Sequence, residues 1–344
     1  ENDIMRFVVD TLACDMPEEI IKGCALALQE ERDVSLILCG REQQISNILS
    51  QYNIDHDRLE IIDAADVITN EDSPTSAIKT KTESSLVKAY EALKRDDVDG
   101  MISSGSTGAV LTGAVLKMGR IRGVHRPALA PLLPTVDGGQ VCLIDCGANV
   151  DCKPEYLVDF ALMGISYMKS VFNIAEPRVG LVCVGIEDHK GNELTKEVFA
   201  RLKALPINFC GNMEARDALS GKYDVLVCDG FVGNVLLKSV EGTAMMMGKL
   251  IKQTINDNLF SKIGALFMKD GLNSLKHTMN YQNKGGAPLL GIGKLIVKGH
   301  GAATKEATKA AVKQIKQMHQ GNLIDCIKSE LSKLKELQEN GQNQ

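Results

Sequence analysis

The sequence contains no tryptophan, and aromatic residues make up only 4% of its 344 residues. Binding of bases or sugar rings commonly relies on aromatic stacking, so we do not expect it to be a main function. The net charge of −5 also argues against a general nucleic-acid binder. No apolar run is long enough to span a bilayer, and no secretory signal is recognisable. We expect a cytosolic globular protein, with residues 1–4 as leader sequence before the first strand.

Cysteine is plentiful, with ten residues. Cys39, Cys142, Cys183 and Cys228 each lie in a run of Val, Leu and Ile that predicts a buried strand, where cysteine behaves as a small apolar residue. The cysteines within residues 142–152 lack the paired spacing of a zinc site. We therefore predict free thiols in a reducing compartment.

One unit recurs five times along the chain: an apolar strand, a polar glycine-containing loop and an amphipathic helix. The five stretches are RFVVDTLACDMPEEIIKG, DGMISSGSTGAVLTG, VCLIDCGANVDCKPEYL, GLVCVGIEDHKGNELTKEVF and YDVLVCDGFVGNVLLKSVEG. Apolar strands separated by helices predict a three-layer α/β/α fold with a largely parallel sheet, whose ligands bind beyond the carboxyl ends of the strands. We expect a catalytic α/β unit over residues 5–325, as one domain or two closely joined lobes, and a helical tail over residues 326–344.

The stretch SSGSTGAVLTGAVL, residues 103–116, places small and hydroxyl residues where a strand leads into a helix. It could hold a serine nucleophile, cradle an anion or form a capped turn. No histidine pairs clearly with Ser103 or Ser104, and no loop matches the G-x-S-x-G, P-loop or G-x-G-x-x-G pattern. With Ser106 or Thr107 as N-cap, the free N–H groups of the next turn would face an anion, so we favour the cradle. The residues assigned to it are Ser104, Gly105, Ser106, Thr107 and Gly108.

Several long stretches resemble the bacterial phosphate acyltransferases, which make acyl-phosphate from acyl-[acyl carrier protein]. They are SPTSAIKTKTESSLVKA, SSGSTGAVLTG, GRIRGVHRPALAPLLPT, DCGANVDCKPEYLVDFALMG, GNELTKE, INFCGNMEARD, VCDGFVGNVLLKSVEG and GGAPLLG. The resemblance implies a fold related to phosphotransacetylases and to isocitrate- and isopropylmalate-type dehydrogenases. It also implies a homodimer, a place at the start of phospholipid synthesis beside a glycerol-3-phosphate acyltransferase, and attachment to the inner face of the membrane.

Two stretches depart from the family pattern. In the first loop, DTLACDMPEE, Ala13 and Cys14 stand where two glycines are expected, and the loop is one residue short. Near the end, GHGAAT has alanines where serines are usual. An added Cβ restricts positive φ and close backbone approach to a ligand. We therefore expect the first loop to hold its ligand through side chains or with reduced activity, and Cys14 to be reachable by thiol reagents.

The implied reaction is attack of inorganic phosphate on an acyl thioester. Phosphate is already nucleophilic at neutral pH, so the protein must position it and stabilise an oxyanion, and we predict neither a metal nor a cofactor. Lys190 is the predicted cation, Asn234 the predicted amide donor, and Asp229 orients a donor or accepts a proton. Asp229 could equally be a helix cap, and Lys190 a solvated loop residue. Gly230 and Gly233 complete the second predicted phosphate loop.

Other polar residues are weaker candidates for binding the substrate. Asn149 and Lys153 form one pair, with a capped turn as the alternative. Asn192 belongs to the family stretch GNELTKE, and His300 lies between two glycines.

An acidic carrier protein needs a basic docking surface. Arg120, Arg122 and Arg126 follow the helix after residues 103–116, and Lys79 and Lys81 could extend the patch. A solvated run of surface charge is the alternative.

Residues 257–281 carry an apolar stripe at helical spacing, with Lys262, Lys269 and Lys276 at seven-residue intervals. This pattern favours a helix, or a helix pair hinged near Asp270–Gly271, on an anionic membrane surface. Packing in a dimer interface is the competing interpretation.

Three other functions remain open on sequence alone. A phosphotransacetylase using acyl-CoA would share the chemistry but not the carrier. A decarboxylating dehydrogenase would need metal-binding aspartates and a nicotinamide pocket, neither of which is clear. A non-catalytic regulatory protein has only the altered first loop in its favour.

Overall fold

The computed structural model describes residues 4–279 and 285–342. In this part of the chain the strands are β1 (Met5–Asp10), β2 (Val34–Gly40), β3 (Leu59–Asp63), β4 (Gly100–Ser103), β5 (Ala128–Leu129), β6 (Leu132–Pro134), β7 (Gln140–Ile144), β8 (Val179–Cys183), β9 (Phe209–Glu214), β10 (Val225–Val227), β11 (Ala287–Leu290) and β12 (Leu295–Lys298).

The helices are α1 (Pro17–Glu30), α2 (Glu42–Leu49), α3 (Pro74–Thr80), α4 (Ser85–Leu93), α5 (Thr107–Gly113), α6 (Pro154–Phe172), α7 (Glu193–Lys203), α8 (Gly230–Asn256), α9 (Leu259–Phe267), α10 (Lys269–Met279), α11 (Lys305–Gln320) and α12 (Leu323–Gln342). A π-helical stretch, Ala114–Met118, continues α5.

The strands form two sheets rather than one. The larger has the order β3-β2-β1-β4-β12-β11-β5, and the smaller has the order β6-β7-β10-β8-β9. The central pairs of both sheets are parallel, whereas β11 pairs antiparallel with both of its neighbours and β6 pairs antiparallel with β7. The mixed α/β fold with mostly parallel sheets predicted from the alternating apolar strands and helices is confirmed.

The C-terminal tail is part of the packed body. Helix α12 begins at Leu323, before the predicted boundary, and buries Ile327 and Leu331 in the core that also contains α6. Apolar residues four apart lie on one face of a helix, which explains this docking. Asn343 and Gln344 lie outside the described residues.

Long α8 and the short helices after it are largely exposed. In α8 only Gly230, Gly233 and Glu241 are buried, and α9 buries no residue. The predicted helix pair is present, but its break lies at Met268, so Gly271 falls inside α10. Asp270 in the first turn of α10 favours this start, because a carboxylate stabilises a helix N-terminus. Of the predicted segment, residues 280–281 lie outside the described residues.

All ten cysteines are free. Cys39 in β2 and Cys142 in β7 are buried as predicted, and Cys228 is buried directly after β10. Cys183 at the end of β8 is half-buried.

Candidate functional site

Loops from both sheets line a cavity of about 630 Å³. From the larger sheet come residues 12–15 after β1, residues 104–107 after β4 and residues 298–301 at the end of β12. From the smaller sheet come Cys146 and Gly147, and α8 lines one side. The polar strand ends that the sequence singles out in these elements therefore meet at one cavity, as expected for carboxyl ends of parallel strands.

The buried carboxylate of Asp10 connects two of the loops that line the cavity. Its oxygens accept the Ser103 hydroxyl at 2.8 Å and the Leu12 and Ala13 N–H groups at 3.3 Å each. Burial raises the pKa of Asp10, and the hydrogen bonds from Ser103 and the loop oppose that shift. Because Ser103 is fully buried and donates to Asp10, the geometry gives it a structural role rather than that of a nucleophile.

The first loop offers an anion no free backbone donor between residues 12 and 15. The N–H groups of Leu12 and Ala13 point to Asp10, that of Cys14 donates to the Leu12 carbonyl, and that of Asp15 donates to the Gly301 carbonyl. Positive φ is found among the described non-glycine residues only outside this loop. The loop therefore does not adopt the positive φ that glycines would permit. Its side chains, rather than its N–H groups, are left to bind an anion.

The loop after β4 keeps its hydroxyl groups available. Ser104, Ser106 and Thr107 line the cavity, and their hydroxyls make no hydrogen bond with another described residue. Ser106 occupies the N-cap position of α5 as predicted, but its side chain makes no capping bond. Gly105 also lines the cavity, where an added Cβ would lie 3.1 Å from the Cβ of Ala13.

Gly108 faces away from the cavity. A Cβ on it would lie 3.0 Å from Cγ of Pro74 in α3, and it is not among the cavity-lining residues. Gly108 therefore has only its backbone, in the first turn of the helix, to contribute to the predicted anion cradle.

The cations that line the cavity are Lys298 and Lys238, neither of which was predicted. Burial, together with the nearby Lys238, lowers the pKa of Lys298 to about 8. Lys238 forms an ion pair with Glu241 in the next turn of α8, at 2.7 Å. His300, a predicted substrate-binding residue, also lines the cavity, and burial and the nearby Lys238 lower its pKa. The sequence analysis selects polar residues in loops. It misses both lysines because Lys298 lies in β12 and Lys238 lies in α8.

Lys190 lies elsewhere. It is exposed on the loop after β8, where its N–H donates to the Glu187 carbonyl at 3.0 Å, and it does not line the cavity. A catalytic role for Lys190 would require this loop to approach the cavity.

The loop after β10 is largely structural. Asp229 is the N-cap of α8 and accepts the Val232 N–H at 2.8 Å, the alternative left open by the sequence. The N–H of Gly230 donates to the Asn149 carbonyl at 2.7 Å, and that of Gly233 donates to the Asp229 carbonyl at 3.0 Å. Neither glycine lines the cavity, and neither has a free N–H for phosphate. Asn234 does line the cavity, and its side chain is exposed.

Gly233 lets α8 pack closely against Asp145, the residue that follows β7. A Cβ on Gly233 would lie 1.8 Å from the carbonyl oxygen of Asp145, a contact no side chain allows. The glycine is thus needed for close packing.

Three other predicted substrate residues stay outside the cavity lining. Asn149 uses its amide to donate to the Pro127 carbonyl at 2.8 Å and to the Asp145 carboxylate at 3.0 Å. Asn192 caps α7 by accepting the Thr195 N–H at 2.9 Å. Lys153 is exposed at the N-cap of α6.

The predicted carrier-binding arginines lie together on the segment after the π-helical stretch. Arg120 donates to the Val124 and His125 carbonyls, Arg126 lies 5.8 Å from the centre of the Tyr156 ring, and Arg122 is exposed. The guanidinium groups of Arg122 and Arg126 therefore present positive charge at the surface.

Lys81 is held differently. Its ammonium pairs with Asp72 at 2.9 Å and donates to the Val67 carbonyl, whereas Lys79 is exposed.

Cys14 is half-buried and lines the cavity. Burial and the nearby Asp10 raise the pKa of its thiol to about 12. The thiol is therefore near the ligand space but strongly disfavoured as a thiolate.

Among residues 4–279 and 285–342, no group of three or more His, Cys, Asp or Glu side chains is placed to hold a metal ion. The metal-independent reaction predicted from the sequence remains a prediction.

Comparisons with known proteins show what this chain is similar to. Residues 5–325 match the family described as fatty acid synthesis protein. A curated phosphate acyltransferase of Clostridium tetani is 42% identical over 334 residues, which cover 97% of this chain and 100% of that protein.

Solved structures agree on the fold. A phosphotransacetylase from Streptococcus pyogenes has a TM-score of 0.61 at 15% identity, covering 91% of this chain and 94% of its own. A 4-hydroxythreonine-4-phosphate dehydrogenase from Klebsiella pneumoniae has a TM-score of 0.53 at 11% identity, covering 92% and 98%. The expected relation to phosphotransacetylases and dehydrogenases is thus confirmed for the fold. The match over nearly the whole chain, with 42% identity across a full-length relative, shows that this chain belongs to the phosphate acyltransferase family.

Proposed function

We propose that this protein transfers a long-chain acyl group from acyl-[acyl carrier protein] to inorganic phosphate. The observation that supports it most is the cavity in which free hydroxyls, an amide and the desolvated ammonium of Lys298 converge. This set of donors suits a phosphate dianion, and the family membership supplies the acyl-transfer chemistry.

In this proposal the phosphate lies against Ser104, Ser106 and Thr107. A phosphate oxygen attacks the thioester carbon, the C–O bond forms, and the C–S bond breaks as the carbonyl re-forms. The sulfur leaves as the carrier thiol, taking up the proton that hydrogen phosphate loses, and acyl-phosphate remains. Asn234 lines the cavity with an exposed side chain, and in this proposal its amide donates to the phosphate or to the developing oxyanion. Each well-aimed donor of this kind contributes about 3–4 kcal/mol to transition-state stabilisation.

The acyl donor is proposed to dock on the arginines at residues 120–126. Exposed guanidinium groups suit an acidic carrier protein and the phosphate of its prosthetic group. Arg122 and Arg126 are the proposed contributors, since Arg120 already donates to backbone carbonyls. Acyl-CoA is the alternative donor.

Comparing the two donors at equal concentration tests this choice. We expect acyl-[acyl carrier protein] to be used with a kcat/KM at least about tenfold higher, and Arg122→Glu with Arg126→Glu to remove that preference. Equal use of acyl-CoA by both proteins would contradict it.

We further propose a homodimer that attaches peripherally to the inner, anionic face of the cell membrane. None of the described helices combines the length and hydrophobicity needed to traverse a bilayer. The exposed apolar residues of α8, Met245, Met246 and Leu250, suit a second copy of the chain. Leu266 and Phe267 of α9 are 72% and 88% exposed, which suits the lipid boundary.

Membrane attachment would deliver acyl-phosphate near a glycerol-3-phosphate acyltransferase, the proposed next enzyme of phospholipid synthesis. Acyl-phosphate is a reactive mixed anhydride, so a short path to its consumer limits hydrolysis. Size-exclusion chromatography with light scattering tests the dimer, and a monomer at micromolar concentration would contradict it.

A further inference from the structure

Lys298 is a desolvated cation that faces the cavity. It ends β12, where it pairs in register with Ser103 of parallel β4, so its side chain emerges beside the hydroxyl loop that follows. Its ammonium donates to the Gly299 carbonyl. It takes part in none of the ion pairs found among the described residues. A largely desolvated charge without an ion-pair partner is costly, and this favours an anion in the cavity.

We propose that Lys298 is the cation that binds inorganic phosphate in this cavity, holding it against the hydroxyls of Ser104 and Ser106. The inference deepens the proposed acyl transfer to phosphate and rests on it for the identity of the anion. Phosphate supplies the missing counter-charge, and its oxygens accept hydrogen bonds from the ammonium and from both hydroxyls.

The other lysines fit this role less well. Lys238 lines the same cavity, but its charge is already compensated by Glu241 at 2.7 Å. Lys190 is exposed outside the lining. Gly299, next to Lys298, permits the close approach, because a Cβ there would lie 2.3 Å from the Ser104 hydroxyl oxygen. The end of β12 therefore lies close to the loop that carries Ser104.

The geometry predicts a characteristic pH dependence of phosphate binding. The groups around Lys298 are Asp10 and Asp15 from β1 and the first loop, Lys238 and Glu241 from α8, and His300 from its own loop. Burial and Lys238 lower the pKa of Lys298 to about 8, and the two aspartates partly oppose this. A bound dianion favours the charged ammonium and raises this pKa. Phosphate binding is therefore strongest when Lys298 is protonated and weakens as the pH rises above about 8.

Equilibrium binding of inorganic phosphate, measured by calorimetry without an acyl donor, tests the proposal. For the native protein we expect the Kd to rise by nearly tenfold per pH unit above about 8. Lys298→Arg stays charged, so it should bind phosphate and lose this alkaline weakening. Lys298→Met should weaken binding by at least about tenfold near neutral pH. Lys313→Met, an exposed lysine of α11, is the matched control and should bind as the native protein does.

Two results would overturn the inference: native affinity in folded Lys298→Met, or an alkaline weakening that persists in Lys298→Arg. If Lys298→Met does not fold, as judged by circular dichroism, the comparison of Lys298→Arg with the native protein decides alone. Turnover separates this inference from the proposed function. An active enzyme whose phosphate KM is unchanged in Lys298→Met overturns the role of Lys298 only. Phosphate binding that depends on Lys298, without acyl transfer, overturns the proposed function only.

Discussion

The hydroxyl of Ser103 donates to the buried carboxylate of Asp10 across 2.8 Å, and this bond joins the ends of β1 and β4 beneath the cavity. The same carboxylate accepts two N–H groups of the first loop. A residue at the start of the chain and one at the start of the hydroxyl loop thereby fix the relative position of the two loops.

This bond makes Ser103 structural rather than nucleophilic. Ser103→Ala should keep kcat within about threefold of the native value, while leaving a buried acceptor short of a donor and reducing stability by about 1–3 kcal/mol. Steady-state kinetics and urea unfolding measure the two effects. Loss of nearly all turnover in a fully stable Ser103→Ala protein would instead indicate covalent catalysis.

Asn234 is the predicted amide donor that lies at the cavity. Asn234→Ala should lower kcat/KM by at least about tenfold, because a donor to the transition state contributes more than about 1.4 kcal/mol. The exposed side chain leaves Tm nearly unchanged. Ser239→Ala, at an exposed position of the same helix outside the cavity lining, is the control and should keep native kinetics. Native kinetics for both variants would make Asn234 a surface residue.

Lys190→Ala gives a separate result. The role predicted from the sequence corresponds to a loss of kcat/KM of about tenfold, whereas the exposed position of Lys190 outside the cavity lining favours native kinetics. Native kinetics would show that Lys190 is a solvated loop lysine.

Cys14 reports on occupation of the cavity. Because its pKa is raised to about 12, alkylation should be slow at neutral pH and should accelerate as the pH rises. Substrate should protect Cys14, whereas exposed Cys210 should react at a rate that no ligand changes. Mass spectrometry of each cysteine measures both rates. A Cys14 rate that is unaffected by acyl donor and phosphate would place it outside the ligand space.

The exposed tip of α9 is the proposed membrane contact. Leu266→Glu with Phe267→Glu should abolish binding to vesicles rich in anionic lipid, because acidic side chains cannot enter the acyl boundary. The dimer and the activity in solution should persist. Vesicle flotation and light scattering measure these outcomes. Monomeric or unfolded protein would show instead that these residues pack in the dimer interface.

The sequence predicts the alternating strands and helices of this fold better than the details of its site. Continuous apolar runs identify the parallel strands because each run lies within a few consecutive residues. The division into two sheets depends on pairings between distant segments, such as β4 with β12, and leaves no local pattern.

Within the site, the hydroxyl loop and Asn234 are identifiable because small polar residues stand out after an apolar strand. Lys298 and Lys238 are not, since each follows a regular strand or helix pattern and becomes a cavity residue only through packing. Asp229 is ambiguous for another reason, because a helix cap and a catalytic carboxylate have the same sequence signature.

Formation of acyl-phosphate from purified long-chain acyl-[acyl carrier protein], followed by mass spectrometry with a metal chelator present, tests the central claim most directly. We predict product that requires both inorganic phosphate and the acyl carrier, with release of one carrier thiol per acyl-phosphate formed. Product that appears only when a divalent metal is restored, or only from acyl-CoA, would contradict the account.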